Sequence, residues 1–250
     1  MISTPTSKPT CPHCGRELEP LYAVFNGKRM FCGIEECQCP GACEERDRRA
    51  AKEVEEARLE REARRSKRLA KAGIPRRFIA AESEMAEGLR CKAEQGTGAY
   101  IVGNVGTGKT HLACAVAVAA SDEGAKVRFA DSPGLLASIR ATYGDRERTE
   151  DDVVRQLVGC DLLVIDDLGK EQPTEWTLTQ LFRIIDGRYA AMRPLVVTSQ
   201  YERPALARRL AGNGDAETAR ALVSRLLEMC ERIELTGPDR RIAAAPGDES

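Results

Sequence analysis

Residues 103–110 read Gly-Asn-Val-Gly-Thr-Gly-Lys-Thr, and this stretch restricts the fold more than any other. It satisfies G-x-x-x-x-G-K-[ST], follows a predicted strand (AYIVG, 99–103) and opens a helical pattern (HLACAVAVAASDEG). Strand, glycine-rich turn and helix in that order make a cradle for phosphates. The glycines let backbone N–H groups close around anionic oxygens at a helix N-terminus, where the dipole favours negative charge. Lys109 is placed to reach the β- and γ-phosphates, and the Thr110 hydroxyl to coordinate Mg²⁺. Gly103, Asn104, Val105, Gly106, Thr107, Gly108, Lys109, Thr110 and His111 are therefore the expected nucleotide-binding run.

A second signal complements the first. Asp161-Leu-Leu-Val-Ile-Asp166-Asp167 is an apolar strand that ends in two carboxylates. Carboxylates placed there lie at the C-terminal edge of a parallel sheet, where ligands bind. Asp166 is expected to hold Mg²⁺, and Asp167 to orient or deprotonate the attacking water. A plain surface turn does not explain two adjacent acids directly after four aliphatic residues. Thr198-Ser199-Gln200 ends another strand candidate (PLVVTSQ, 194–200) and puts polar side chains near the γ-phosphate. With KVRFAD (126–131) and RIEL (232–235) as further strands, strands alternate with helical patterns. The fold class is α/β, a parallel sheet covered by helices on both faces. The chemistry implied is that of a nucleoside triphosphatase using ATP and Mg²⁺.

The first 72 residues have a different composition. Of ten cysteines, Cys11, Cys14, Cys32, Cys37, Cys39 and Cys43 fall within the first 43 residues. Cys11-Pro-His-Cys14 suits either a disulfide oxidant or half of a zinc site. The oxidant needs this pair at the start of a helix in a βαβ unit, and only a ten-residue polar tail precedes it. Zinc needs two more thiolates, and Cys32, Cys37, Cys39 and Cys43 offer them. An iron–sulfur cluster is the alternative occupant. His13 is read as exposed on the knuckle, with a Cys₃His site as the other possibility. A module of this kind, with too few aliphatic residues for a core, borrows its stability from the metal.

Glu44 to Ala72 contains no Gly or Pro and is rich in Ala, Glu, Arg and Lys, which predicts a solvated linking helix. A basic arm for DNA is the sharper alternative, opposed by acids interleaved throughout. The expected organisation is a disordered tail (1–10), a zinc module (11–43), the linking helix (44–72), an ATPase domain (73–242) and a second tail (243–250). A net charge of −1 gives no global basic field for nucleic acid. No run reaches the roughly 20 apolar residues of a membrane span. The N-terminal residues lack the apolar region of a secretory signal, so a cytoplasmic protein without membrane contact is expected. Arg140, Arg146 and Arg148 are candidates for phosphate contacts, with a solvated face as the competing reading; Trp176 is expected to pack rather than stack on bases.

The segments AGIPRRF, GNVGTGKTHLA, VRFADSPGLLASIRATY, DLLVIDDLG, LVVTSQ and LVSRLLEMCERIELTGPDRR occur in that order between about residues 72 and 242. Together they resemble the bacterial replicative-helicase loaders, the DnaC- and DnaI-type AAA+ ATPases, and the related IstB-type transposition helper ATPases. The resemblance implies an AAA+ P-loop fold, sensor 1 at Gln200 or Ser199, and an arginine finger at Arg225. It also makes Cys37 and Cys39 the preferred partners of Cys11 and Cys14, with Cys32 and Cys43 as alternates. The partners it implies are a replicative ring helicase, single-stranded DNA and further copies of the chain in an ATP-dependent open arc or spiral. Two departures stand out: Asp166-Asp167 replaces the usual Asp-Glu pair, and sensor 1 ends in Gln rather than Asn. The short stretch after Arg241 leaves no expected helical lid. The helix from Ala219 to Cys230 is expected to bury Leu222, Leu226, Leu227 and Cys230, with Arg225 at the edge of that face. Three functions compete on these grounds: a helicase loader, a transposition helper that recruits a transposase, and a zinc-dependent DNA-binding regulator with a vestigial ATPase. The zinc module favours the first over the second, and the intact Lys109, Thr110 and Asp166 oppose the third.

Overall fold

The computed structural model describes residues 9–25, 27–145, 147–212 and 214–240. Arg146, Arg241 and the tails at 1–8 and 243–250 lie outside the described residues. The chain divides into two compact units at Arg64/Arg65.

The first unit contains a hairpin of β1 (Pro20–Phe25) and β2 (Lys28–Ile34), paired antiparallel with an irregularity at Leu21/Tyr22. The sequence reading placed no strand here. Its side chains are mostly exposed, including Val24 at 73% and Phe25 at 70%, so no buried alternation marks it. Pro9 and Thr10, assigned to the tail, are held by the Leu18 N–H to Pro9 carbonyl bond and a Thr10–Glu17 bridge. Helix α1 runs from Pro40 to Ala72, so it starts four residues before Glu44 and takes Cys43 into its first turn. Within the first unit its surface carries exposed pairs such as Lys52–Glu56, Arg58–Glu55 and Arg64–Glu60. Pairs at this spacing support a solvated helix by a few tenths of a kcal/mol each.

In the second unit the end of α1 buries Leu69 and Ala72, and a 3₁₀ turn follows at Arg76–Phe78. Helix α2 (Glu84–Glu94), capped by the Ser83 side chain, leads into β3 (Gly98–Gly103) and α3 (Lys109–Asp122). Then come β4 (Val127–Asp131), α4 (Ser132–Arg140), α5 (Glu150–Gly159) and β5 (Leu162–Asp166). The chain continues through α6 (Glu175–Ala190), β6 (Leu195–Ser199), α7 (Arg203–Ala211), α8 (Ala216–Met229) and β7 (Cys230–Leu235).

The five strands are all parallel, in the order β4-β5-β6-β3-β7. Two apolar clusters cover the two faces: one gathers Leu163, Ile165, Ile184 and Leu222, the other Ile101, Val116, Val164 and Val196. β5 and β6 are buried at every position, as strands sandwiched between helices must be. Strand order places the site: β6 separates the glycine-loop strand β3 from the carboxylate strand β5, so its C-terminal end faces both.

The α8 region departs from expectation. Cys230 adopts an extended conformation (φ −124°, ψ 130°) and begins β7 rather than ending the helix. Leu227 is 45% exposed, and the buried face is Ala219, Leu222, Val223, Leu226 and Met229.

Candidate nucleotide site and cysteine cluster

The glycine loop connects β3 to α3 through two left-handed residues, Gly106 (φ 78°) and Gly108 (φ 97°). L side chains rarely adopt this conformation, and the Asp239 carboxylate occupies the space a Gly106 Cβ would need. Lys109 is buried at 6% exposure, and its Nζ donates to the carbonyls of Gly103 (2.8 Å) and Asn104 (2.7 Å). The Thr107 hydroxyl turns inward to the Asn104 carbonyl at 2.9 Å. Val105, Gly106, Gly108, Lys109, Thr110 and His111 line a cavity of about 590 Å³ that Asp167 and Gln200 also border.

Across the loop, the Thr110 hydroxyl donates to Asp166 at 3.0 and 2.9 Å to its two oxygens. The Thr198 hydroxyl donates to Asp166 Oδ1 at 2.5 Å and accepts the Asp167 N–H at 2.8 Å. Burial pushes the Asp166 carboxyl up, helped by the neighbouring charge of Asp167 and opposed by the two threonine hydroxyls. A buried carboxylate facing a hydroxyl of the glycine loop is a fitting donor pair for a hard divalent cation. Asp167 takes a left-handed backbone (φ 57°), uncommon for a non-glycine residue, and its carboxylate meets Lys170 Nζ at 2.5 Å.

Of the two sensor positions, Ser199 is fully buried, donating to the Leu168 carbonyl and accepting from the Tyr201 N–H. Gln200 is exposed on the cavity instead. Arg225 is not on this cavity. Its Nε donates to Asp186 Oδ1 at 2.6 Å, and its guanidinium lies 4.7 Å from the Phe182 ring centre and 5.6 Å from that of Tyr189. These three partners are on α6, and Arg225 Nη1 also donates to the Ala221 carbonyl of its own helix at 3.2 Å, so the arginine pairs and stacks within one chain.

Four cavity residues were not picked out from the sequence: Arg77, Phe78, Lys170 and Arg240. Phe78 meets His111 edge to face at 6.1 Å with Arg77 over its ring, an aromatic and cationic wall suited to a purine. The quoted segment AGIPRRF contained both residues. The Arg240 N–H donates to the Gly106 carbonyl at 3.0 Å. Of the candidate phosphate contacts, Arg140 lies over the Trp176 ring at 4.4 Å. Trp176 itself packs against the main core cluster.

In the first unit, Cys11, Cys14, Cys37 and Cys39 offer sulfurs that all lie within 4.8 Å of one another. Cys11–Cys39 is 3.8 Å and Cys14–Cys37 is 3.5 Å. Zinc–sulfur bonds of about 2.3 Å in a tetrahedron require sulfurs about 3.8 Å apart, so the cluster fits that ion. The backbone N–H of His13, more than any other group, lowers the Cys11 thiol to about 6. The Ala42 N–H favours the Cys39 thiolate, but burial and the sulfurs of Cys37, Cys14 and Cys11 outweigh it and push that thiol up to about 12. Four crowded thiols therefore resist joint ionisation, which a dication would relieve. Cys32 is exposed and outside the group, and Cys43 accepts from Arg46 instead. His13 is tied to Glu45 at 2.7 Å.

Comparison with known proteins agrees with this geometry. Residues 50–245 match the family described as IstB-like ATP binding protein. An insertion-sequence ATP-binding protein of Mycobacterium tuberculosis is 29% identical over 159 residues, 62% of this chain and 59% of its own length. The replicative helicase loader DnaC of Escherichia coli is 28% identical over 92 residues, 37% of this chain and 38% of its own. The chain thus spans less than two thirds of the curated relatives it matches. The crystal structure of DnaI superposes with a TM-score of 0.56 at 22% identity, covering 65% of this chain and 94% of that one. With the glycine loop, the carboxylate strand and the parallel order all in place, the chain belongs to the IstB-like ATP-binding family and carries the AAA+ P-loop fold shared by the DnaC/IstB-type ATPases.

Proposed function

We propose that the protein is an Mg²⁺-dependent ATPase that loads a replicative ring helicase onto single-stranded DNA, its nucleotide state switching its hold on both. The observation that carries the ATPase reading is the contact of Thr110 with Asp166 across the glycine loop, with Thr198 joining Asp166 to Asp167. Lys109 and the loop N–H groups bind the phosphates, and Thr110 and Asp166 are the residues that would hold Mg²⁺, which would supply Lewis-acid stabilisation of the phosphate charge. Asp167 takes a proton from the attacking water as the new P–O bond forms and the bond to the β–γ bridging oxygen breaks, releasing ADP. Gln200 contacts the terminal phosphate, and Arg225 of a neighbouring copy completes the site in an open arc or spiral.

The loader reading draws support from the cysteine cluster, read as a zinc module preceding the ATPase, and from the likeness to DnaC. The transposition reading, an ATPase that binds DNA and recruits a transposase, has its own observation: the family match and the insertion-sequence relative. A pull-down with the replicative helicase of the same cell, with and without ATP, separates them. ATP-dependent capture of the helicase supports loading. Capture of a transposase on duplex DNA, and not of the helicase, supports the other reading.

A further inference from the structure

Lys170 is the residue after Asp167-Leu168-Gly169, and its ammonium sits 2.5 Å from Asp167 Oδ2 on the wall of the nucleotide cavity. The main chain around the pair is fixed from several sides. The Asp167 N–H is held by Thr198 Oγ1, and the Leu168 N–H by the Thr198 carbonyl at 2.9 Å. The Gly169 N–H is held by the buried Glu171 carboxylate at 3.1 and 3.0 Å, and Arg209 Nε donates to the Gly169 carbonyl at 2.9 Å. Side-chain rotation is therefore the easy motion here, and a loop rearrangement is not. The Lys170 side chain is 52% exposed and that of Asp167 22%, so their ion pair is of the weak, solvent-screened kind.

We infer that Lys170 is a sensor of the terminal phosphate, acting within its own chain: it pairs with Asp167 when no γ-phosphate is bound and exchanges that carboxylate for the γ-phosphate of ATP. The chemistry favours the exchange, because a terminal phosphate carries more negative charge and more acceptor oxygens than one carboxylate. Asp167 must approach the water next to the γ-phosphorus, so an ammonium in contact with Asp167 is within side-chain reach of that phosphate. The exchange frees Asp167 to accept the water proton only when a triphosphate is present. ADP, lacking that phosphate, leaves the pair closed. The inference rests on the reading of Asp167 as the group that acts on water, and it adds a second cation, distinct from Lys109, that tells ATP from ADP.

The test measures affinities of the full chain for Mg·ADP and for a non-hydrolysable Mg·ATP analogue in wild type, Lys170→Met and Lys170→Arg. Lys170→Met should leave ADP affinity and thermal melting unchanged and lower the preference for the triphosphate roughly tenfold or more, the loss of one charge-assisted contact. Lys170→Arg should restore most of the preference. An unchanged preference in Lys170→Met overturns the inference, and so does an equal loss of ADP and analogue affinity, which would mean that Lys170 only shapes the cavity. The readout is binding, so it does not depend on whether Asp167 is the catalytic base; that assignment fails separately if Asp167→Asn turns over ATP.

Discussion

The Thr198 hydroxyl bonds both acidic residues at the end of the carboxylate strand at once, donating to Asp166 Oδ1 and accepting the Asp167 backbone N–H. Thr198 is fully buried. Thr198→Val keeps the shape and removes the hydroxyl, taking a donor from the buried Asp166 carboxylate and a partner from the part-buried Asp167 N–H, which costs about 1–3 kcal/mol. At about 2–4 °C per kcal/mol for a domain of this size, differential scanning calorimetry should record a clear fall in Tm. ATP turnover should fall roughly tenfold or more, since each 1.4 kcal/mol lost from the transition state is about a factor of ten. Turnover equal to wild type would show that the carboxylates do not depend on this strut.

Asp166 trades stability for cation binding. Its carboxyl is held above its ordinary value by burial, so the ionised form destabilises the nucleotide-free fold. Asp166→Asn should raise the Tm of the nucleotide-free protein and abolish Mg²⁺-dependent nucleotide binding. The sign with pH follows from linkage: below the unfolded value of about 3.9 both states are protonated and the variants should not differ. The advantage of the Asn variant should grow as pH rises from there and level off above the native value. A stability difference that shrinks with rising pH would contradict this account.

The cysteine cluster makes a compositional prediction. Freshly purified protein should contain one zinc per chain by elemental analysis. Ser at both Cys11 and Cys14 should remove the zinc while leaving nucleotide affinity at wild-type strength, because the phosphate cradle is built from Gly103 to Thr110. Iron with sulfide, or no metal at all, would refute the zinc assignment.

Arg225 is paired with Asp186 within the chain, so a finger role requires it to leave that partner. Arg225→Ala should keep ATP affinity and lose stimulated hydrolysis on the order of 10³-fold, as for other arginine fingers. Asp186→Asn should not share that loss, because it removes the pair and leaves the guanidinium. Mixing Arg225→Ala with Lys109→Ala protein should recover activity, since one mixed interface joins an intact cradle to an intact finger. Equal losses in Arg225→Ala and Asp186→Asn, with no recovery on mixing, would assign Arg225 to helix packing alone.

What the sequence disclosed was governed by burial. β5 and β6 are continuous aliphatic runs ended by polar residues, and the glycine loop has a fixed spacing, so strands and cradle were legible directly. The hairpin Pro20–Ile34 escaped because its residues are mostly exposed and belong to neither apolar cluster, so no buried alternation marks its strands. Leu227 was misplaced because helical periodicity was extended one residue too far, into Cys230, where the chain had already turned into β7. The role of Thr198 as a strut depends on β6 lying between β3 and β5, a fact of sheet order that no local pattern encodes. Lys170 was invisible for a similar reason: its meaning comes from the left-handed backbone of Asp167, which turns its carboxylate back onto the loop.

The central claim is that this site binds ATP through Lys109 and cleaves it through Asp167. The most direct measurement is single-turnover hydrolysis of Mg·ATP, with nucleotide binding recorded on the same samples, for wild type, Lys109→Ala and Asp167→Asn under conditions where wild type assembles. The account predicts that Lys109→Ala fails to bind, that Asp167→Asn binds without cleaving, and that wild type does both. Hydrolysis by Asp167→Asn at the wild-type rate, or tight binding by Lys109→Ala, would contradict it.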